Sequence, residues 1–426
     1  MKEVRLAYGR RGLVARVPDD AAVITPTDLP GLADEQGAVL DALGAPTDGP
    51  PLADLVGAGD RVAVVFPDLT RPMPNRTVLP PLLAELERLG AGPDRVELLC
   101  ATGTHRQATR QEMAELVGDD IVARYAIHDH RSDDASHVEV GVVDGTPVLI
   151  DPRYVEADVR ILTGFVEPHF FAGFSGGPKG ACPGLAATET ILEAHSPARI
   201  ADAGATWLVT EGNPVHDFVR AAVALAPPTL SLDVAINSRR QLTAVFAGPL
   251  PEGHRAACAF VEDTAVQRVD APFDVVLTTN AGYPLDRNLY QAVKGMAAAE
   301  RVVVKGGTIV VAAACADGLP AGGAFARLLA ATGGPEDMVS ELGASAPDRW
   351  QVQVLGRVLR RAAVWLHTDG LSDDEVRGAH LRPVGDVSEA VARALDQAGP
   401  GARVGVLPEG PLTVVTAAGA TPGGYP

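Results

Sequence analysis

The sequence is poor in aromatic residues and in cysteine. Phe, Tyr and Trp together make up 4% of the 426 residues, and the four cysteines are Cys100, Cys182, Cys258 and Cys315. They lie far apart and form no C-x-x-C pair, which excludes a zinc knuckle and a disulfide framework. We therefore expect buried free thiols.

Long apolar runs and an excess of positive charge are also missing. No stretch reaches the roughly 20 apolar residues that a membrane-spanning helix needs. The segment from Met1 to Val17 lacks the apolar core of a signal peptide, so a cytoplasmic location is predicted. The chain has 36 Lys and Arg against 54 Asp and Glu, a net charge of −18. This excludes nucleic acid and an anionic membrane as partners, although a few buried cations still allow a small anionic substrate.

Short apolar runs alternate with segments of helical spacing along most of the chain. Uninterrupted runs of this length are typical of strands buried on both faces of a parallel sheet, so the alternation predicts an α/β fold. The predicted strands are Arg61–Phe66, Val96–Ala101, Val159–Gly164, Val275–Thr279, Val302–Ala314 and Ala362–His367. The predicted helices are Arg76–Leu89, Arg110–Val117, Ala187–Ala194 and Arg287–Ala299. One hairpin, Leu232–Asn237 with Gln241–Phe246, indicates that the first sheet is mixed.

The length of the chain predicts two domains. The segment Cys258–Ala271 has a polar, helical pattern, and a new strand begins at Phe273. We therefore predict one domain over 1–268 and a second over 269–426, each a largely parallel or mixed sheet flanked by helices. The tail from Thr416 is expected to be frayed.

Two polar clusters directly follow predicted strands, where ligands collect in open α/β sheets. The first, F-P-D-L-T-R-P, contains Asp68 and Arg71. These two can orient one another across a turn, and an arginine here can bind a carboxylate through two parallel hydrogen bonds, but taken alone the motif is more typical of a structural Asp–Arg pair that supports the loop. The second, A-T-G-T-H-R, contains His105. A lone histidine after a strand is more often a hydrogen-bonded surface residue than a catalyst.

The third cluster runs from Phe165 to Gly180 and is rich in glycine and phenylalanine. Its backbone can present amides to an anion, and Lys179 can bind a phosphate or carry a covalent attachment. The spacing matches neither a phosphate-binding P-loop nor a dinucleotide-binding fingerprint. A flexible loop with a solvated lysine is the other interpretation, which the neighbouring phenylalanines disfavour. His195, one helix further on, either turns back to this loop or caps that helix.

The fourth cluster, N-A-G-Y-P-L-D-R-N-L-Y-Q-A-V-K-G, follows the strand at Val275–Thr279. Asp286 is a candidate helix N-cap. Tyr290 and Lys294 are four residues apart and share one helix face, which suits a carboxylate or hydroxyl site but also an ordinary amphipathic helix. Trp350 lies among polar residues further on, either as a cleft wall or in the core.

Together the clusters resemble the nickel-dependent lactate racemase family. The resemblance runs from about Ala63 to Gln353 and rests on D-x-T-R-P, T-G-T-H-R, E-P-H followed by G-F-S-G-G-P-K-G, a later His-Ser pair and Y-Q-A-V-K-G, all in order. It implies an isomerase that racemises or epimerises a 2-hydroxy acid in the cleft between two domains. The 1–268 domain would then anchor the cofactor, and the 269–426 domain would cover cofactor and substrate.

The family's cofactor is a nickel-pincer nucleotide, derived from pyridinium. The resemblance implies that Lys179 carries it covalently as a thioamide and that His195 ligates the nickel. The implied catalytic residues are His105, His169, Asp68, Arg71 and Lys294. The other implied cofactor contacts are Thr70, Gly173, Ser175, Gly176, Gly177, Tyr290 and Gln291, of which the glycine segment would receive the phosphate. The implied substrate contacts are Arg71, Gln291, Lys294 and Trp350.

The implied reaction explains these residue types. Removing the α-proton of a 2-hydroxy acid is difficult because the carbanion lacks an electron sink, whereas removing hydride gives a 2-keto acid. In the family, one histidine takes the hydroxyl proton while hydride moves to the cofactor, and hydride then returns to the other face of the reoriented keto acid. Two histidines suit proton transfer in both directions, while Arg71 and Lys294 would hold the carboxylate and polarise the keto oxygen.

Two other classes of function stay open from the sequence. One is a pyridine-nucleotide oxidoreductase, or a zinc enzyme that uses His105, His169 and His195, acting on a small carboxylic acid. The other is a non-catalytic nucleotide- or metal-binding module. The expected partners are a 2-hydroxy acid of unspecified side chain and the enzymes that make the cofactor, so a cofactor-free chain is also expected. The oligomeric state is not fixed.

Overall fold

The structure, a computed structural model, describes residues 1–320, 324–339, 346 and 348–418. In these ranges the strands are β1 (Lys2–Leu6), β2 (Leu13–Val17), β3 (Ala22–Val23), β4 (Val62–Pro67), β5 (Val96–Ala101), β6 (Ala126–Asp129), β7 (Val138–Val143), β8 (Thr146–Ile150), β9 (Val159–Phe165), β10 (Pro168–His169), β11 (Gly173–Phe174), β12 (Leu230–Ile236), β13 (Leu242–Gly248), β14 (Val266–Val269), β15 (Phe273–Thr279), β16 (Val303–Ala312), β17 (Ala363–His367), β18 (Arg382–Pro383), β19 (Val404–Leu407) and β20 (Val414–Ala417).

The helices are α1 (Glu35–Gly44), α2 (Leu52–Leu55), α3 (Asn75–Arg88), α4 (Arg110–Val117), α5 (Asp119–Arg124), α6 (Pro152–Glu156), α7 (Thr188–Ala194), α8 (Pro197–Ala201), α9 (Pro214–Ala224), α10 (Glu252–Ala265), α11 (Leu289–Glu300), α12 (Phe325–Ala330), α13 (Pro335–Val339), α14 (Arg349–Arg361), α15 (Asp373–Gly378) and α16 (Val387–Ala398). Two 3-10 turns span Gly177–Gly180 and Gly410–Leu412.

Six strands form the first sheet, in the order β13-β12-β9-β4-β5-β6. All neighbours are parallel except β12 and β13, which form the antiparallel hairpin that the sequence predicted. Strand β4 is buried on both faces, because Ala63 and Val65 belong to one apolar cluster and Val62 and Val64 to another. An uninterrupted apolar run is the pattern that such a strand requires.

Six further strands form the second sheet, in the order β18-β17-β16-β15-β19-β3, with all neighbours parallel. Two sheets with flanking helices confirm the predicted α/β class. Strand β3 comes from the beginning of the chain, where Ala22 pairs with Gly405 and Val23 with Val406. The division predicted at 268/269 therefore separates the two sheets except for β3, and the domain limits stay a prediction.

Two predictions about segments that form a separate two-stranded sheet were wrong. The helix predicted over Cys258–Ala271 ends at Ala265, and Val266–Val269 instead forms β14, which pairs in parallel with β20. Thr416 was predicted to be frayed but lies in β20 opposite Arg268, because a strand partner from a distant part of the chain satisfies its backbone. The rest of the tail, 419–426, lies outside the described residues.

The N-cap prediction for α11 was also wrong. The cap is Asn288, whose side chain accepts the N–H of Gln291. Asp286 instead accepts the N–H groups of Gly9, at 2.7 Å, and Ala314, at 3.0 Å. Its carboxylate therefore ties the N-terminal segment to the end of β16 rather than starting the helix.

The four cysteines are buried and free, as expected. None of the helices in the described ranges has the length and apolar character needed to cross a membrane.

We predict that Gly410→Ala destabilises the fold strongly. Gly410 has a φ of 49° in the 3-10 turn that packs against α11, and a Cβ there would overlap the carbonyl oxygen of Thr279. Overpacking costs about 1–3 kcal/mol and a left-handed alanine about 1–2 kcal/mol, so the free energy of unfolding should fall by about 3 kcal/mol. Denaturant unfolding measures this, with Gly378→Ala as the control, since nothing lies within 4 Å of a Cβ at that position. Equal losses in both variants would contradict the prediction.

Candidate active site

A cleft of about 140 Å³ lies where the carboxyl ends of β4, β5 and β9 face helices α11 and α14. Most of the predicted site residues line it, namely Asp68, Arg71, His105, His169, Ser175, Gly176, Lys179, His195, Tyr290, Gln291, Lys294 and Trp350. The predicted residues outside this lining are Thr70, Gly173 and Gly177. The cleft is thus lined by loops of the first sheet and by helices that flank the second sheet.

Asp68 and His105 form a hydrogen-bonded pair at the mouth of the cleft. His105 Nδ1 lies 2.9 Å from Asp68 Oδ2, and Thr70 donates its hydroxyl to Asp68 Oδ1 at 2.7 Å. Because a carboxylate accepts, Nδ1 carries the proton and Nε2 keeps a free lone pair. Burial raises the pKa of Asp68, but the charge of His105 and the hydrogen bonds from His105 and Thr70 lower it by more, so the pKa lies below its ordinary value.

The sequence suggested that the side chains of Asp68 and Arg71 orient one another, but in the structure they do not. Arg71 pairs with Glu167, Nη1 to Oε1 at 3.2 Å, and only its backbone N–H contacts the Asp68 carbonyl. The tight turn aims the two side chains at different partners. Glu167 is the first residue of the E-P-H motif, but the sequence analysis predicted no role for it.

His169 is enclosed by aromatic rings deep in the cleft. Its ring stacks on Phe170 at 4.8 Å and meets the edge of Phe171 at 4.5 Å. The N–H of Ala172 donates to Nδ1 at 3.3 Å, which leaves the proton of the neutral ring on Nε2. Burial, with the charges of Lys179 and Arg71, lowers the pKa of His169 well below its ordinary value.

His195 both ends helix α7 and lines the cleft, so both interpretations of it hold. Its Nδ1 donates to the carbonyl oxygen of Ile191 at 2.8 Å, which leaves Nε2 with a free lone pair. The ring lies 4.7 Å from Trp350 and 5.4 Å from Phe171. Burial lowers the pKa of His195 to about 4, so the ring is neutral at physiological pH.

Two half-buried lysines line the cleft, one from the turn after β11 and one from helix α11. Lys179 lies on the 3-10 turn after β11, 5.6 Å from the Phe171 ring, and burial together with Arg71 and Lys294 lowers its pKa well below the ordinary range. Lys294 lies on α11, and burial together with Arg71 lowers its pKa to about 7. Lys294 is therefore divided between its charged and neutral forms near pH 7, and the lowered pKa of Lys179 increases the share of its neutral, nucleophilic form.

Helices α11 and α14 supply the opposite wall. Trp350 donates its indole N–H to the Tyr290 hydroxyl at 2.9 Å, which fixes the tryptophan beside His195. Gln351 donates to the Tyr290 carbonyl oxygen. Gln291 also lines the cleft, and its Oε1 is buried with no hydrogen-bond partner in the described structure. A buried orphan acceptor of this kind is free to receive a donor from a bound molecule.

The glycine segment is packed differently from the predicted phosphate cradle. The Gly177 N–H already donates to Asp233 Oδ1 at 2.8 Å, so it is not available to a phosphate. Gly173 has a φ of 76°, and a Cβ there would overlap the carbonyl oxygen of Val209. These two glycines therefore permit close packing, whereas Ser175 and Gly176 line the cleft.

The three cleft histidines do not form a metal site by themselves. In the part of the chain that the structure describes, no group of three His, Cys, Asp or Glu side chains is arranged to hold a metal ion. A zinc centre built from His105, His169 and His195 therefore has no support in the geometry. A metal at His195 would need its other ligands from a bound molecule.

The fold and the cleft define an α/β enzyme with two sheets and a buried site of lysines and histidines. The lactate racemase N-terminal domain matches residues 8–207, and the lactate racemase C-terminal domain matches residues 268–416. The chain is 34% identical to the lactate racemase of Thermoanaerobacterium thermosaccharolyticum, covering 97% of this chain and 99% of that protein. It is 33% identical to the lactate racemase of Lactiplantibacillus plantarum, covering 96% and 99%.

Solved structures agree with this relationship. The lactate racemase apoprotein from Thermoanaerobacterium thermosaccharolyticum superposes with a TM-score of 0.90 at 34% identity, over 97% of this chain and 100% of that one. A Thermotoga maritima protein shares the fold at a TM-score of 0.70 and 18% identity, over 90% and 98%. The chain belongs to the lactate racemase family, which confirms the resemblance found in the sequence, and it is an enzyme of the isomerase class.

We predict that Glu167→Gln lowers the pKa of Lys294 further below about 7. The Glu167 carboxylate raises the pKa of Lys294 against burial and Arg71, and removing an adjacent opposite charge shifts a pKa by about one unit. Cyanate modifies only neutral amines, so the pH midpoint of Lys294 carbamylation, read by peptide mass spectrometry, should fall. Glu193→Gln is the control, because Glu193 pairs with Arg199. A midpoint that rises or stays constant in Glu167→Gln would refute this electrostatic assignment.

Proposed function

We propose that this chain racemises or epimerises a 2-hydroxy acid with a nickel-pincer nucleotide attached to Lys179. The observation that carries the proposal is the convergence of His105, His169, Lys179 and His195 in one cleft. The relatives named lactate racemase make lactate the first substrate to test. The side chain of the natural substrate is left open, since every 2-hydroxy acid presents the same carboxylate and hydroxyl groups.

The residues of the cleft fit the proposed cofactor. Lys179 lines the cleft and its pKa is lowered by burial and by the charges of Arg71 and Lys294, which favours the neutral amine that attachment requires. His195 presents a free Nε2 lone pair, and no three-residue ligand group surrounds it in the described structure, which suits a metal whose other ligands belong to the cofactor. The orphan acceptor of Gln291 offers a further contact. Lys179 and His195 would therefore hold the group, with Tyr290 and Gln291 beside it.

When bound, the cofactor supplies a reversible hydride acceptor, which allows a 2-keto acid as intermediate. Arg71, held by Glu167, and Lys294 would bind the substrate carboxylate and the carbonyl oxygen that forms. Arg71 is always charged, and Lys294 can share a proton near neutral pH because its pKa lies at about 7.

The two histidines would move the hydroxyl proton. His105 is the better placed base in this arrangement, because Asp68 holds its Nδ1–H and would stabilise the imidazolium that forms at Nε2. His169 would serve the opposite enantiomer as the other tautomer, in which the ring proton moves from Nε2 to Nδ1, the Ala172 contact is given up and Nε2 has the lone pair that takes the hydroxyl proton. The rings of Phe170, Phe171 and Trp350 would keep water away from the reacting atoms.

We predict that chain produced together with the cofactor-making enzymes converts either enantiomer of lactate, or of another 2-hydroxy acid, towards the racemate. Peptide mass spectrometry should find added mass on the Lys179 peptide, and Lys179→Ala should lack both the mass and the activity. Lys305→Ala, an exposed lysine on β16, is the matched control and should keep both. A nickel-loaded, modified chain that leaves a panel of enantiopure 2-hydroxy acids unchanged would disprove the proposed reaction.

We predict that His105→Ala and His169→Ala each slow racemisation by about 100-fold or more, the order of general acid–base catalysis. Both variants should retain the mass on Lys179, because neither ring attaches the cofactor. The rate of loss of optical rotation is the measurement, and His128→Gln, on β6 outside the cleft, should behave as wild type. If either variant keeps the full rate, the histidine that it lacks does not take part in proton transfer.

A further inference from the structure

The turn that carries Lys179 lies against a buried carboxylate on the neighbouring strand. Asp233, on β12, is completely buried. Its Oδ1 accepts the N–H of Gly177 at 2.8 Å, and its Oδ2 accepts the hydroxyl of Ser231 at 2.7 Å. Gly177 is the first residue of the 3-10 turn, two positions before Lys179. Asp233 therefore fixes the start of the turn that holds the amine.

The surrounding chain leaves space for this carboxylate. A Cβ on Gly164, in β9, would overlap Asp233 Oδ1, and a Cβ on Gly176 would lie 2.7 Å from the same atom. Gly176 also has a φ of 77°, which side chains disfavour. Two glycines from different elements thus converge on one carboxylate oxygen.

Two stacked histidines hold the same segment from behind. His254 Nε2 donates to the Ser175 carbonyl oxygen at 2.8 Å, and His216 Nδ1 donates to the Ala172 carbonyl oxygen at 3.1 Å. Their rings are 5.8 Å apart and nearly parallel. These bonds restrain the backbone before the turn, whereas Asp233 is the side chain that bonds the turn itself.

We propose that Asp233 is a positioning residue for Lys179: by accepting the Gly177 N–H it fixes the 3-10 turn so that the lysine amine stays inside the cleft, beside the Phe171 ring. This inference rests on the proposed function only because that function makes Lys179 the attachment point of the cofactor. Without the acceptor, a buried N–H would lose its partner, and the turn would shift to regain one.

The position of the amine decides its chemistry. Burial is the main reason that the pKa of Lys179 is depressed, and Arg71 and Lys294 add to it. A turn that moves towards water would weaken all of these effects, and the amine would become protonated at neutral pH. The titratable and charged groups around Lys179 are Arg71, Glu167, His169, Cys182, His195, His216 and Lys294.

The test uses cyanate on the full cofactor-free chain, with the pH midpoint of carbamylation read separately for Lys179 and Lys294. In Asp233→Ala the midpoint of Lys179 should rise by at least about one pH unit, a tenfold fall in the neutral fraction at a given pH. Lys294, on α11, is the internal control: it is coupled to Lys179 only through charge, so its midpoint should shift much less than that of Lys179. Asp233→Asn keeps an oxygen that can accept the Gly177 N–H and should restore the wild-type midpoint. Ser231→Ala, which leaves that bond in place, should also match wild type.

Each outcome decides the proposal. An unchanged Lys179 midpoint in folded Asp233→Ala overturns it, and so does an equal shift of both lysines, which would mean that the whole cleft has opened. If Asp233→Ala does not fold, Asp233→Ser replaces it with the same expectation, since the shorter side chain does not reach Gly177. Failure of both to fold overturns the positioning role in favour of a purely structural one. The cyanate test uses the cofactor-free chain, so its result does not depend on the cofactor. If chain produced with the cofactor-making enzymes carried no added mass on Lys179, that result would count against the proposed function alone.

Discussion

The site depends on holding three basic side chains, each half-buried, close together in one small cleft. Arg71, Lys179 and Lys294 repel one another, and Glu167 is the carboxylate that pairs with Arg71 and partly offsets the repulsion on both lysines. Because the guanidinium keeps its proton, the repulsion acts on the two amines and lowers their pKa values. The cleft therefore combines one permanent cation with two amines whose neutral, nucleophilic forms are favoured.

The fold makes this arrangement possible because loops after the strands of the first, mixed sheet face helices α11 and α14 of the second, parallel sheet. The first sheet contributes loops, which carry His105, His169 and Lys179, and the second contributes the helices α11 and α14. Loops supply reactive groups, while helices supply a rigid wall in which Trp350 and Tyr290 hold each other. Neither sheet alone would exclude water from the lysines, so the chemistry of each half depends on the other.

Sequence patterns predicted the features that depend on local composition. Uninterrupted apolar runs identified the central strands within one or two residues, because burial on both faces leaves no polar position. Partners distant in the chain could not be predicted in this way. Strand β3 is two residues long and is defined only by its pairing with β19, and β14 has a polar pattern that its partner β20 overrides. Likewise, the sequence analysis paired Arg71 with Asp68, its neighbour in the chain, whereas its side chain contacts Glu167, which follows the adjacent strand β9.

The glycine-rich segment illustrates the limit most clearly. Glycine permits both a backbone that cradles an anion and a backbone that packs closely against neighbours, and the local sequence is the same in both cases. Here the neighbours are Asp233 on β12 and His254 on α10, far along the chain, and they already use the Gly177 N–H and the Ser175 carbonyl. His195 shows the same dependence, because its bond to Ile191 is local but its place beside Trp350 requires the second sheet. The motifs therefore identify the residue types of this site. The protonation and orientation of those residues depend on side chains outside the motifs.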